Sequence, residues 1–420
     1  MSSNVMMTLF LDGVRQTDGL CSFSRKVLFT DAGAFIKNAL ENTPLENVAH
    51  TAKQTLFASE KQALQAAILP EDAEHILVMA VAMPELTRAD FSKIAALHLA
   101  IGQDVTVFAN STVAHYENAV IRDENDAVCK IGTGNGHKAL PAAIFKKSAL
   151  KKVIGKAENL FDAINLLVSD GAAVEVCNVD DVTVLTDGIK AYEAQKKLVM
   201  KINFGYIAKG VQIFSPENTF ISPDAQIEAG AVILPNCLIK QDCKIGANAT
   251  IGPNTVLEKA EIGAGTNVNN SQFSESSIGE NATVGPFAYV RPNCKIGDKT
   301  RIGDFVELKK ATIGNGTKVS HLTYIGDADV GERVNFGCGT VIVNYDGYTK
   351  SKTVIGDDCF IGCNTNLIAP VTLGDRVFTA AGTTVTKNVP DGALTVARSR
   401  QTNLEGWNDR RRERMAAEKK

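Results

Sequence analysis

Two cations and one imidazole in the second half of the chain have residue types and spacing that could do chemistry. Arg291 and Lys309 each follow an apolar residue, Val290 and Leu308, that opens a six-residue step, and three such steps separate them. If three steps close one coil of a solenoid, the two side chains stack at the roughly 4.8 Å spacing of neighbouring strands. Like charges placed directly opposite destabilise a sheet. A bound phosphate would relieve the repulsion, and the planar fork of arginine suits it. Nearby carboxylates would serve as well and leave two solvated surface side chains; spacing alone keeps both readings open. His321 is the only histidine after residue 220. By the same count it stacks between Asp304 and Cys338, and Tyr324 stacks over Glu307. A lone histidine can be structural, but one on a polar stretch (residues 320–324) beside a cationic ladder is placed to move a proton. One histidine cannot supply a three-histidine zinc site. Residues 344–350 keep no apolar register, so they form either a plain insertion or a loop that carries binding residues.

These placements rest on a repeat. Ile221, Ile227, Ile233, Ile239, Ile245, Ile251 and Leu257 recur every six residues. The series resumes at Ile278, Val284, Val290 and Ile296, runs through Ile302, Leu308, Val319 and Phe336 to Ile342, and closes from Ile355 to Val385. Small residues stand four places after the apolar ones, as at Ala225, Ala231, Cys237, Cys243 and Ala249. This is the hexapeptide signature of a parallel β-helix, with the apolar residue filling the interior. Cys237, Cys243, Cys294 and Cys359 fall on the small position and read as buried structural thiols. Before residue 200 the pattern differs. Strand-like runs at 7–11 and 76–81 alternate with helix-period segments at 31–42, 88–99 and 148–154, which argues an α/β domain. The expected organisation is an α/β domain over 1–200, a linker helix or loop over 201–220, a β-helix over 221–408 and a basic tail over 409–420. The tail's arginines, Arg410 to Arg414, read as a solvated helix end.

Bulk properties narrow the classes. A chain of 420 residues is long for one core, so two domains are expected. Hydrophobic residues make up 45% and mean hydropathy is −0.02, with no apolar run long enough to span a membrane and no secretory leader pattern. A net charge of −3 gives no reason to expect nucleic acid as a partner. The nine cysteines show no CxxC pair and no metal-ligand spacing, and read as reduced thiols of a cytoplasmic protein.

The repeat resembles that of left-handed β-helix acyltransferases, which implies a triangular prism, assembly as a homotrimer and active sites between subunits. A closer likeness lies in Gly285-Pro286-Phe287-Ala288, Val290-Arg291-Pro292, Glu307-Leu308-Lys309-Lys310, His321-Leu322-Thr323-Tyr324, Asn344-Tyr345-Asp346-Gly347 and Glu405-Gly406-Trp407. These motifs, with their spacing, resemble the acetyltransferase domain of the bifunctional GlmU family over roughly residues 220–410. The resemblance implies acetyl-CoA-dependent N-acetylation of glucosamine-1-phosphate, on the way to UDP-N-acetylglucosamine. It implies His321 as general base, Arg291, Lys309, Tyr324, Asn335 and Lys350 on the sugar phosphate, and Cys338, Asn344, Tyr345, Cys363, Ala381 and Arg398 on acetyl-CoA. No metal is required for that step. Cys338 and Cys363 replace the small residues usual there, which leaves acetyl-CoA binding secure only if those contacts use the main chain.

The first half departs from the same family. Lys26 to Thr30 and Ile76 to Pro84 keep a weaker likeness to its nucleotidyltransferase domain, but residues 12–19 lack the Gly-rich phosphate loop. Val81-Ala82-Met83-Pro84 lacks the metal-binding Asp, Thr186 stands near the later metal-binding Asn, and a stretch between Glu60 and Ala66 is missing. A degenerate nucleotidyltransferase-like, Rossmann-like domain without uridylyltransferase activity is expected. Gly132-Thr133-Gly134-Asn135-Gly136-His137 reads either as a phosphate loop or as a turn. Two other functions compete: acetylation of a different amino-sugar phosphate, and a non-catalytic regulatory or scaffold relative.

Overall fold

The structure, a computed structural model, describes residues 73–418 except 82, 181, 186 and 187, together with 6–10, 26–27, 30–31, 48–50 and 69. The chain divides into two units, 1–209 with 215–225 and 210–214 with 226–420.

The first unit holds β1 (Met6–Phe10), β2 (Val48–His50), β3 (His75–Met79), α1 (Arg88–Ile101), β4 (Val105–Arg122), β5 (Val128–Lys146), α2 (Lys147–Val153), α3 (Leu160–Ser169), β6 (Val174–Val179) and α4 (Gly188–Ala208). The strands make one mixed sheet in the order β2-β1-β3-β5-β4-β6. In β3 the run Ile76, Leu77, Val78 and Met79 is buried throughout, as an apolar strand covered on both faces must be. Alternate residues point to opposite faces. Ile76 and Val78 pack with Leu150, Val153, Ile164 and Leu167 of α2 and α3, while Leu77 and Met79 pack with Phe91 and Ile94 of α1. The expected strands at 7–11 and 76–81 and helices at 88–99 and 148–154 therefore form with ends shifted by one or two residues. Asp31 lies in a two-residue strand paired with Lys26, and the rest of the helix expected over 31–42 lies outside the described residues. So do residues 12–19, 60–66, Ala82 and Thr186. Helix α4 runs unbroken across residue 200.

The glycine cluster at 132–137 is neither a phosphate loop nor a turn. It lies inside β5, antiparallel to β4, with Gly134 opposite Tyr116 and Gly136 opposite Ala114. A Cβ on Gly136 would stand 2.3 Å from the Val120 carbonyl oxygen. The cluster serves close approach of two strands, a role that glycine plays as well as it plays turns.

The second unit is a parallel β-helix of three ladders. One face stacks Ile233, Ile251, Val268, Val284, Ile302, Val319, Phe336, Ile361 and Thr379. A second stacks Leu257, Phe273, Val290, Leu308 and Ile325. The third stacks Ile262, Ile278, Ile296, Ile313, Val330, Ile355 and Leu373. All of these residues are buried. The repeat does not lapse between Leu257 and Ile278, where six-residue counting loses it. Ile262, Val268 and Phe273 continue it, because the strands Val256–Ile262 and Gln272–Ile278 cross a corner with one residue fewer. Where the step is six, the third residue after the apolar one turns the corner with positive φ, as at Asn236, Asn248, Asn254 and Asn281. Asparagine tolerates that conformation better than other side chains. Cys237, Cys243, Cys294 and Cys359 are buried beside these corners. The tail forms α5 (Trp407–Ala417), exposed along its length.

Candidate active site

Two residues after each apolar residue of the first face, the chain leaves the ladder and presents a side chain outward. Asp304 pairs with His321 in register. Cys338 and Cys363 follow on the next two coils, fixed by a 2.8 Å bond from the Asn364 amide to the Cys338 carbonyl. Ala381 comes next, and Arg398 reaches the corner at Gly382. The coils meet closely because Gly303 precedes Asp304. A Cβ there would stand 1.9 Å from the Ser320 carbonyl oxygen. His321 Nδ1 lies 2.8 Å from Asp304 Oδ1, with both side chains about half exposed. The bond from His321 is the main cause that holds the Asp304 carboxyl below its ordinary range. An ionised carboxylate only accepts, so in the neutral imidazole Nδ1 carries the proton and Nε2 keeps its lone pair toward solvent. That is the arrangement of an oriented general base.

The cations gather at the far end of the second face. Arg291 Nη1 is 2.8 Å from Glu307 Oε1, and Lys309 Nζ is 3.0 Å from Asp327 Oδ2. Asn344 also donates to Asp327 Oδ2. Burial works to raise the Asp327 carboxyl, but the bonds from Lys309 and Asn344 outweigh it and hold it low. The expected repulsion between Arg291 and Lys309 is thus met by carboxylates, without any need for a ligand. Lys350 and Lys310 add further positive charge to the corner. The neighbouring Lys309 ammonium, with Lys310, holds Lys350 below the ordinary lysine value, against an opposing attraction from Asp327. Like charges gathered this closely favour a bound anion beyond the single Asp327 carboxylate. The Tyr324 hydroxyl and the Asn344 amide close over Gly326, where a side chain would have no room.

Residues 344–350 form an ordered loop. Asp346 accepts from the amides of Tyr348 at 2.8 Å and Thr349 at 2.6 Å, and Tyr345 bridges Lys350. Ser351 donates to the Asn344 carbonyl at 2.9 Å, so the loop is pinned where it leaves the prism. Tyr345 and Tyr348 project into solvent.

Residues singled out from the sequence therefore fall into two groups. Arg291, Lys309, Tyr324, Asn344 and Lys350 share the cationic corner, with Tyr345 in the same loop. His321, Cys338, Cys363, Ala381 and Arg398 share the column. Among the described residues no hydrogen bond or ion pair joins the groups within one chain. Asn335 stands on the first face, in register between Lys318 and Phe360, and belongs to neither contact network. Asp304 and Asp327 were assigned no role from the sequence. Register counting placed Asp304 beside His321, and Asp327 follows Gly326, the in-register partner of Lys309 one coil on, so the signal for both was present. Among the described residues no cluster of three or more His, Cys, Asp or Glu could hold a metal. A cavity of about 310 Å³ opens in the first unit beside Glu85, Thr87, Lys201 and Tyr206. Its polar groups satisfy one another, with Lys201 Nζ donating to the Glu85 carbonyl at 3.0 Å.

The family model described as bacterial transferase hexapeptide (six repeats) matches residues 224–259, 275–310 and 352–387. Bifunctional protein GlmU of Clostridium novyi (strain NT) is 48% identical over 255 residues, covering 59% of this chain and 55% of that protein. Its counterpart in Clostridium perfringens (strain SM101 / Type A) is 53% identical over 255 residues, covering 60% of this chain and 56% of that protein. Over this stretch the chain is similar to GlmU. It spans about half the length of these GlmU relatives. A solved Arabidopsis UDP-N-acetylglucosamine acyltransferase superposes with a TM-score of 0.35 at 19% identity, covering 46% of this chain and 76% of that one. Among the described residues no helix is long and apolar enough to cross a membrane.

Proposed function

We propose that the chain transfers an acetyl group from acetyl-CoA to the amine of glucosamine-1-phosphate. The observation that carries this reading is the Asp304–His321 contact at 2.8 Å, which leaves Nε2 free to take the amine's proton as it attacks the thioester. The gathering of Arg291, Lys309 and Lys350 at one corner supports a phosphate on the acceptor, since an anion there would relieve the repulsion that Lys350 feels from Lys309. The GlmU likeness supports the choice of amino sugar and of acetyl-CoA, with Cys338, Cys363, Ala381 and Arg398 lining the path of the cofactor arm and Asn344 and Tyr345 contacting it. Asn335 would contribute to the sugar site.

A single sugar phosphate must reach both the base and the cations. Because these stand at opposite ends of one prism face, the reading includes a homotrimer in which the column of one copy faces the cationic corner of the next. Heterologous contacts that close into a ring supply this arrangement. The protein is read as cytoplasmic, with no metal needed for acetyl transfer.

Release of free CoA thiol from acetyl-CoA tests the reading. Turnover with glucosamine-1-phosphate should far exceed turnover with glucosamine; equal rates would remove the phosphate from the account. The first unit is read as lacking uridylyl transfer, since residues 12–19 lack the phosphate loop and Val81-Ala82-Met83-Pro84 lacks a carboxylate for Mg²⁺. UTP with N-acetylglucosamine-1-phosphate and Mg²⁺ should release no pyrophosphate, and brisk release would overturn that part.

A further inference from the structure

The described cysteines divide by burial. Cys177, Cys237, Cys243, Cys294 and Cys359 are buried. Burial pushes the thiols of Cys177, Cys237, Cys294 and Cys359 up, Cys237 to about 11, and a thiol kept protonated is a poor nucleophile. Cys338 and Cys363 are exposed, and neither thiol engages a hydrogen-bond partner. They are also neighbours. The ladder pairs Asn335 with Phe360 and Phe336 with Ile361, and the bonds from Gly337 to the Ile361 carbonyl at 2.7 Å and from Asn364 to the Cys338 carbonyl at 2.8 Å carry that register onward. Cys338 therefore lies directly opposite Cys363 on the next coil. Strands so paired are about 4.8 Å apart, inside the window of about 4.4–6.8 Å that Cα atoms span across a disulfide. In the column Ala381 follows Cys363 on one side, and His321, bonded to Asp304, precedes Cys338 on the other.

We propose that Cys338 and Cys363 form a thiol–disulfide switch on the wall that binds acetyl-CoA. The thiolate of one cysteine attacks a low-molecular-weight disulfide, RSSR, forming a mixed disulfide and releasing one RSH. The second thiolate then attacks the protein sulfur of that mixed disulfide, closing the Cys338–Cys363 bond and releasing the second RSH. Two protein thiols thereby give two electrons and two protons to RSSR, and a dithiol reductant reverses the sequence. Intramolecular closure is favoured because the resolving thiol is already one coil away. The consequence for acetyl-CoA rests on the proposed function: a bridge across two rungs would occupy the groove where the thioester arm lies, one coil from His321, and acetyl transfer would stop until the bridge is reduced.

The test uses the full chain treated natively with oxidised glutathione, then alkylated and analysed by intact mass and peptide mapping. The expected product has Cys338 and Cys363 joined within one chain, while exposed Cys129 carries a separate glutathione adduct as an internal reference. Cys338→Ser and Cys363→Ser should each trap a stable glutathione adduct on the remaining partner. Wild-type protein with separate adducts at both positions, or with neither position modified, would overturn the switch. Acetyl-CoA at tenfold over its Kd should slow cross-linking about tenfold by occupying the column. A cross-link that forms equally fast with acetyl-CoA present would leave the dithiol chemistry standing but overturn its control of acetyl transfer and count against the acetyl-CoA path itself.

Discussion

The two ends of one prism face use the same device for opposite purposes. At the column, a carboxylate on one coil faces an imidazole on the next, and in the neutral ring this pairing leaves Nε2 with its lone pair. At the cationic corner, a carboxylate on one coil faces an ammonium on the previous one, and a second ammonium, Lys350, feels net repulsion from its neighbours. Parallel stacking supplies the geometry in both cases. What differs is the group opposite the carboxylate, and hence whether the surplus is a base or a positive charge. A ladder that repeats its backbone every coil thus does not repeat its chemistry.

The contrast can be broken from either side. His321→Ala removes the base and should lower kcat by about 10²–10⁴-fold with little change in KM for the sugar phosphate. Comparable losses in kcat and KM would place His321 in binding instead. Lys350→Met removes that repelled charge and should raise KM for the sugar phosphate about ten- to hundredfold, the range spanned by a hydrogen bond to a charged group, while kcat is nearly kept. A change confined to kcat would contradict the anion role. Asp304→Asn should leave His321 in place but less well oriented, with kcat down by about tenfold at most, since the pair is half exposed. An effect as large as that of His321→Ala would make Asp304 part of the chemistry.

The smallest effect is a pH dependence whose sign follows from Lys350. The ammonium is held below the ordinary lysine value in the free protein, and a bound phosphate favours its charged form. Binding of the sugar phosphate therefore takes up a proton on the alkaline side, and affinity should weaken as pH rises through the lowered Lys350 value. Lys350→Met should flatten that slope when binding is followed by calorimetry in buffers of different ionisation enthalpy. A slope unchanged in the variant would assign the proton elsewhere.

Much of this was legible in the sequence because the repeat converts spacing into position. Counting three steps put Asp304 beside His321 and Glu307 beside Tyr324, and the ladders place them so. Where steps shorten to five, as from Leu257 to Ile278, a fixed period loses the thread although the core continues through Ile262, Val268 and Phe273. The asparagines at positive φ were a signal of the corners that apolar counting does not use. The charge argument was incomplete for a different reason. Arg291 and Lys309 do stack, but their charges are answered by Glu307 and Asp327, and the frustrated cation comes from a loop that obeys no period. Periodicity likewise says nothing of a glycine cluster such as 132–137, whose place was decided by a partner strand distant in sequence.

Mixed assemblies test most directly whether one substrate is served by two corners from different copies. His321→Ala and Lys350→Met chains, each impaired alone at low sugar-phosphate concentration, would be co-expressed under separate tags and purified as hybrids. Each hybrid trimer, with two chains of one kind and one of the other, places an intact column against an intact cationic corner at one of its three interfaces, and the hybrids should recover about a third of the activity. Hybrids no more active than the two parent variants would mean that the column and the corner do not meet across subunits, and the shared site would fall.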